Sequence, residues 1–194
     1  MGSPTRGKRL ITDTPGHAHA LTFSCFRNRT FLIGDRSRGW LADALQAARI
    51  KCGFDLWAYV FMPNHVHILL FPRSERIDMP FIRSQIKEPV AKAATDWTAA
   101  NAPEFLEQML DEQPNGRRAF RFWQRGGGYD RDIWNPTYLW EMLDYIHGNP
   151  VRAGICDRPQ DWHWSSASDH LGLGRGPVTL DLGLLPSDPR GRNR

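Results

Sequence analysis

Cysteine is scarce in this chain. Of 194 residues only Cys25, Cys52 and Cys156 carry thiols. They are odd in number, far apart and without a C-x-x-C pair, which excludes a disulfide framework and a cysteine-based zinc site. Long apolar runs are missing as well: nothing approaches the ~20 residues that a membrane-spanning helix needs. The basic start MGSPTRGKRL is not followed by the apolar stretch of an ordinary secretory signal. No internal repeat occurs. These absences predict a protein of the reducing cytoplasm with no membrane association. What remains is ordinary globular material. Forty-one per cent of the residues are apolar and 24% charged, a length and balance that fit one domain with at most a small appendage and a real core.

Lysine is also rare. The 25 basic residues comprise 21 Arg and 4 Lys, for a net charge of only +4. Arginine grips phosphate through a planar fork and stacks on rings, and eight Trp with ten Phe supply aromatic faces for unpaired bases. A GC-rich genome would inflate Arg equally well, so composition permits a nucleic-acid partner without requiring one. The charge is uneven: residues 1–50 hold eight bases against three acids, and residues 117–131 hold five Arg against one Asp. Between them, residues 95–113 carry five acids and no base. The region 95–116 therefore reads as a variable acidic excursion pointing away from any polyanion.

Along the chain, residues 1–19 read as a flexible arm, 20–170 as the folded domain and 171–194 as a mobile tail rich in Gly, Pro and Arg. Residues 20–26 (ALTFSCF) predict a first strand. The apolar spacing of Trp40, Leu41, Ala44, Leu45 and Ala48 predicts a helix over 37–51 that stops at Gly53. Residues 54–61 and 65–71 are β-prone runs flanking the turn residues Pro63 and Asn64, hence a hairpin. A helix over 79–100 should be interrupted at Pro89. A Gly triplet, 126–128, leads into Tyr129 and a short strand, and residues 137–148 form a second clear helix ended by Asn149-Pro150. The pattern is α+β: a mostly antiparallel sheet packed with helices.

The chemistry-bearing residues cluster in the hairpin and the last helix. His65 and His67 alternate with Val66 and Ile68, and a strand's two-residue period puts both imidazoles on one face, close enough to share a metal ion. Their apolar flanks place them at the edge of a core. A second H-x-H, His17-Ala18-His19, sits among Thr, Pro, Gly and Ala before the first strand, where a loose backbone argues against a metal site. Tyr145 is offset from the apolar stripe Leu139, Met142, Leu143 and Ile146, and aligns with Tyr138, Glu141 and Asn149 on a polar ridge. It is either an amphipathic rim residue or a nucleophile. Because a phenol ionises near pH ~10, the second role needs a metal-polarised phosphate or a nearby base.

Against these residues, MPNHVHILL at 62–70 resembles the histidine-hydrophobe-histidine (HUH) motif of single-tyrosine transposases of the insertion-sequence type. FWQRGGGYDRDIW at 122–134, YIHGNPVRAG at 145–154 and DWHWSSA at 161–167 are similar to the branch associated with repetitive extragenic palindromes (REP). The similarity runs in order from about Ala20 to Ala167. It implies a ferredoxin-like fold and a Mg²⁺- or Mn²⁺-dependent nuclease acting on single-stranded or hairpin DNA, as a monomer or homodimer. It further implies His65 and His67 as metal ligands, Tyr145 as the nucleophile and Asn149 as a third ligand. Asn149 has a rival role as a helix C-cap, since Pro150 biases it out of helical geometry. Tyr129, after three glycines whose flexible backbone could bring its hydroxyl to DNA, is the rival nucleophile, although the resemblance implies a structural or DNA-positioning role for it. Arg152 would hold a phosphate or cap the helix, Arg121 and Arg125 form a basic DNA-contacting surface or a solvated loop, and Trp162 and Trp164 either stack on bases or plug the core.

The expected activity is cleavage and rejoining of hairpin-flanking DNA through a 5′-phosphotyrosine link. A domesticated module that holds structured DNA or RNA without cutting is the alternative. A metal-dependent phosphohydrolase with no covalent step is weaker, because no further His/Asp cluster completes a metal site.

Overall fold

A computed structural model describes residues 14–76 and 78–191. Among the described residues six strands and five α-helices follow in chain order: β1 (Ala18–Ser24), α1 (Asp35–Cys52), β2 (Phe54–Phe61), β3 (His65–Pro72), α2 (Met79–Asn101), the single-turn α3 (Leu106–Met109), β4 (Leu110–Glu112), β5 (Arg118–Phe120), β6 (Tyr129–Ile133), α4 (Pro136–Arg152) and α5 (Ala167–His170). The main sheet has the order β2-β3-β1-β6, and each neighbouring pair is antiparallel. This βαββαβ order, with β4 and β5 forming a small separate hairpin before the last strand, is the ferredoxin-like α+β arrangement.

Local chemistry fixes the elements. Gly53, at φ 67°, ends α1 in the left-handed conformation that costs glycine nothing. Asp78 caps α2 by accepting from the Phe81 N–H, and Asn135 caps α4 by accepting from the Tyr138 N–H, with Pro136 opening that helix. The sheet then sorts its side chains by parity. Leu21, Phe23, Leu56, Phe61, Ile68 and Leu70 join one core with α1 and α2. Ala18, Ala20, Val60, Leu69 and Ile133 join a second core under Leu139, Leu143 and Ile146 of α4. Helices cover both faces, and the histidines of β3 lie on the α4 side.

Two prolines do not act as expected. Neither Pro89 nor Pro150 ends its helix; α2 and α4 run through them. Pro89 lies on the exposed side of α2, where water can serve the carbonyl that loses its partner, while Ile82, Ile86, Val90 and Ala94 hold the buried side. Pro150 is accommodated by side chains described below.

The termini also differ from expectation. Residues 1–13 of the predicted arm lie outside the described residues, but β1 already starts at Ala18, and His19 is fully buried rather than on loose backbone. Residues 171–191 are not a free tail. Val178 is buried, its N–H donates to the Tyr59 hydroxyl, and the Asp181 N–H donates to the carbonyl of Leu56 on the outer edge of β2. Asp181 in turn pairs with Arg49 at 2.5 Å, and the Trp140 indole donates to the Pro186 carbonyl at 3.0 Å. The tail, with residues 164–166, thereby covers strand edge that would otherwise be left open. Trp162 and Trp164 are plugs: their indoles donate to the Phe61 carbonyl and Asp35.

The Gly triplet has a steric reason. Gly128, at φ 77°, lies so close to β1 that a Cβ would sit 2.2 Å from the Thr22 carbonyl oxygen, whereas one on Gly126, at φ 89°, would meet nothing. Gly126→Ala should therefore cost about 1–2 kcal/mol of left-handed strain, and Gly128→Ala more than about 3 kcal/mol because backbone must move as well; urea unfolding of the two variants checks the order. Tail anchorage should depend on acid. Burial alone would raise the Asp181 carboxyl, but hydrogen bonds from Arg49 and the Leu56 N–H, with the charges of Arg49 and Arg73, hold it below its ordinary value. A depressed carboxyl gives stability that is full above the unfolded pKa and lost as pH falls through the folded one. The urea midpoints of the wild type and Asp181→Asn should thus differ near neutrality and converge in acid; a gap that persisted below the carboxylate range would overturn the assignment.

Candidate active site

His65 and His67 are neighbours on one face of β3, with ring centroids 4.9 Å apart. Each is oriented through its Nδ1. The His65 Nδ1–H donates to the Asn64 Oδ1 at 2.7 Å, while the Asn64 amide nitrogen donates to Asn28 at 2.9 Å. An amide oxygen only accepts, so the proton of neutral His65 is on Nδ1 and the Nε2 lone pair is free. His67 Nδ1 shares a 2.7 Å hydrogen bond with the Thr22 hydroxyl on β1, directly across the ladder. Its Nε2 is buried and has no hydrogen-bond partner.

An orphaned imidazole nitrogen beside a second imidazole is the pattern expected where a metal completes the coordination. Burial lowers the pKa of both rings. That of His67 is pushed down to about 3, the charges of His65 and Arg152 adding to burial. Both rings are therefore neutral near pH 7, the form that ligates a cation. Among the described residues no group of three or more His, Cys, Asp or Glu side chains is arranged to hold a metal. Any third protein ligand has to be of another type.

Tyr145 rises from α4 against this pair. Its ring meets the His67 ring edge to face at 5.4 Å between centroids, and it is 46% exposed. Tyr145, His67 and Tyr129 line one cleft of about 350 Å³ together with Thr22, Arg131 and Tyr138. The guanidinium of Arg152 lies 4.5 Å from the Tyr145 ring centroid and donates to the Tyr145 carbonyl.

Asn149 is inside the helix, one turn beyond Tyr145. Its Nδ2 donates to the carbonyls of Tyr145 at 2.9 Å and Ile146 at 3.3 Å. Ile146 is the residue whose carbonyl Pro150, lacking an N–H, cannot serve. The Asn149 side chain thus replaces the missing backbone donor, which is why the helix continues to Arg152. That task uses the nitrogen; among the described residues no donor engages the Oδ1.

Other expected residues lie elsewhere. Arg121 and Arg125 do not line the cleft; both guanidinium groups pair with Asp111 of β4, Arg125 at 3.1 Å. The hydrogen bond from Arg121 holds the Asp111 carboxyl below the usual carboxylate range. The acidic excursion therefore turns toward the basic segment and partly neutralises it. The His17-x-His19 pair also has other business: His19 bonds Asp130 at 3.0 Å, and His17 bonds Asp132 at 2.9 Å.

Sequence reasoning missed Thr22 and the clamping by Asn28, and it marked Arg131 only as one of the five Arg of 117–131. A polar residue between Leu21 and Phe23 in a strand buried on both sides was the available signal for Thr22. Nothing local marks Asn28.

No family model matches the chain. A curated protein of Haemophilus influenzae, named "Putative REP-associated tyrosine transposase", is 25% identical over 148 residues, spanning 71% of this chain and 76% of its own length. Among solved structures, a REP-associated tyrosine transposase bound to a REP hairpin matches with a TM-score of 0.61 and 19% identity, covering 100% of this chain and 99% of that one. That structural likeness concerns the fold. Among the described residues no helix is long and apolar enough to cross a membrane. In sequence and in fold, then, this chain resembles the REP-associated tyrosine transposases.

Proposed function

We propose that this chain is a transposase-like endonuclease that cuts and rejoins single-stranded, hairpin-flanking DNA. The observation that carries this reading is that His67, whose buried Nε2 has no hydrogen-bond partner, packs its ring against that of the half-exposed Tyr145 in one cleft. In the proposed reaction the Tyr145 oxygen attacks a phosphodiester. The P–O bond to the 3′ oxygen breaks, leaving a free 3′-hydroxyl and a 5′-phosphotyrosine. Attack by a 3′-hydroxyl on that link reverses the step and joins strands.

His65 and His67 would hold a Mg²⁺ or Mn²⁺ ion through Nε2, with the Asn149 Oδ1 as the non-carboxylate third ligand. When bound, such an ion supplies Lewis-acid polarisation of the scissile phosphate. Thr22 and Asn64 fix the ring orientations, so little reorganisation is needed when substrate arrives. Arg152 orients the nucleophile by packing on its ring, and it offers its remaining donors to a phosphate oxygen. Tyr129 positions the strand from the opposite wall. Both the resemblance of the chain and the hairpin held by the solved relative favour such a substrate. A non-cutting module for structured DNA or RNA needs neither a tyrosine beside the histidines nor an orphaned imidazole nitrogen.

The test is incubation with labelled single-stranded hairpin DNA and Mn²⁺, followed by a denaturing gel for a covalent adduct. Tyr145→Phe should abolish the adduct, and Tyr129→Phe should retain it. His65→Ala and His67→Ala should each reduce cleavage at least ~100-fold, while His17→Ala leaves it unchanged. An adduct peptide mapping to Tyr129, or full cleavage by the His67 variant, would sink the assignment.

A further inference from the structure

We propose that the surface leading from the Tyr145 cleft past Arg131 and Tyr138 to Trp134 seats the unpaired nucleotides next to the reacting phosphodiester. The inference rests on the reading of Tyr145 as a DNA-attacking residue. It adds where the single strand lies and which side chains read its unpaired state.

Two clefts share a wall. The first, of about 350 Å³, holds His67, Tyr129 and Tyr145. The second, of about 550 Å³, reaches Trp134 and Asn135. Arg131 and Tyr138 line both, so the two form one path from the site to the end of β6. Parity explains the alignment. Tyr129 and Arg131 share the face of β6 on which Ile133 packs into the core under α4. Tyr138 and Tyr145 lie two turns apart on one ridge of α4, about 10 Å along its axis. At ~3.4 Å per stacked nucleotide that distance spans about three nucleotides.

The surface chemistry suits a single strand better than a duplex or a protein. Trp134 is 73% exposed and Tyr129 38%, a cost in unburied apolar area that a stacked base would recover. The Arg131 guanidinium lies 4.3 Å from the Tyr138 ring centroid and hydrogen-bonds the Tyr138 side chain, which holds it in place while its remaining donors stay available for phosphate. Of the carboxylates on the path, Asp132 is held by His17, and Glu141 stands exposed at the rim. The sugar–phosphate backbone is accordingly expected on the Arg131 side, with bases turned toward the aromatic rings. Bases locked in a duplex cannot reach those rings.

The experiment titrates labelled hairpins into the Tyr145→Phe protein, which removes the covalent step. One hairpin is blunt, and others carry single-stranded flanks of increasing length. Affinity should rise with the flank to about three or four nucleotides and then level off. Trp134→Ala should weaken binding of the long-flanked hairpin about 5- to 100-fold and leave the blunt hairpin unchanged; Trp134→Phe should restore most of the loss. Because the Trp134 side chain is mostly in water, folding should survive, and Tyr138→Ala provides a second probe of the same path. Indifference of flanked binding to both substitutions, or an equal loss on the blunt stem, overturns the proposal. Adduct formation by the wild type is scored separately. Flank binding that depends on Trp134 in a chain that makes no adduct overturns the nuclease reading alone; an adduct-forming chain indifferent to Trp134 overturns the path alone. A chain that binds no flanked hairpin overturns both.

Discussion

The geometry of the cleft depends on β3 being an inner strand. A strand hydrogen-bonded on both sides cannot slip by one residue without sending its whole core set to the wrong face. Here such a slip would take Val66, Ile68 and Leu70, all with negligible accessibility, out of the α1–α2 core to the α4 side, and would turn His65 and His67 into the α1–α2 core. Burial of aliphatic side chains on one face therefore fixes two imidazoles on the other. The Thr22 hydroxyl that orients His67 comes from the residue directly opposite in the same ladder, so the register that places the ring also places its partner. Gly128 extends this constraint outward. Its close approach to the Thr22 carbonyl sets β6 against β1, and β6 carries Tyr129 and Arg131 into the cleft.

On the far side of β6 a buried ion pair keeps the same strand in place. Arg83 of α2 meets Asp130 at 2.5 Å, and His19 bonds the other carboxylate oxygen. Removing one member would leave a buried charge without its partner, which costs far more than the intact pair contributes. Asp130 thus ties α2, β1 and β6 together on the face opposite the cleft, while its sequence neighbours Tyr129 and Arg131 turn toward α4. Adjacent residues serve different faces of the sheet, and alternation alone assigns them.

Much of this was legible in the sequence. The H-x-H pair inside an apolar run, the Pro63-Asn64 turn and the offset of Tyr145 from the helix stripe each follow from period and turn chemistry, and the structure contains the hairpin, the shared face and the exposed tyrosine. The prolines were misread because a missing N–H is a local fact, whereas its remedy is not: Pro150 needs Asn149 to donate to Ile146, and Pro89 needs only solvent on its side of the helix. The tail was misread because Gly and Pro signal the absence of a regular element, not the absence of contacts. Val178 and Asp181 find their partners on β2, more than a hundred residues away. Long-range pairing of this kind leaves no mark in any window of sequence.

What the arginines face is likewise largely a matter of long-range pairing. Arg49, Arg73, Arg83, Arg121, Arg125, Arg158 and Arg190 each face an aspartate, so much of the apparent excess is spent inside the molecule. Arg131 and Arg152 differ. Among the described residues neither pairs with a carboxylate; each lies instead over a tyrosine ring, at 4.3 and 4.5 Å from the centroid. A stacked guanidinium is held in place without being neutralised, because the ring supplies a quadrupole rather than a counter-charge. Its edge donors keep the planar geometry that matches a phosphate. Arg27 and Arg36 also lie over rings, those of Phe26 and Trp97, but it is Arg131 and Arg152 that stack on tyrosines beside the cleft of His67 and Tyr145.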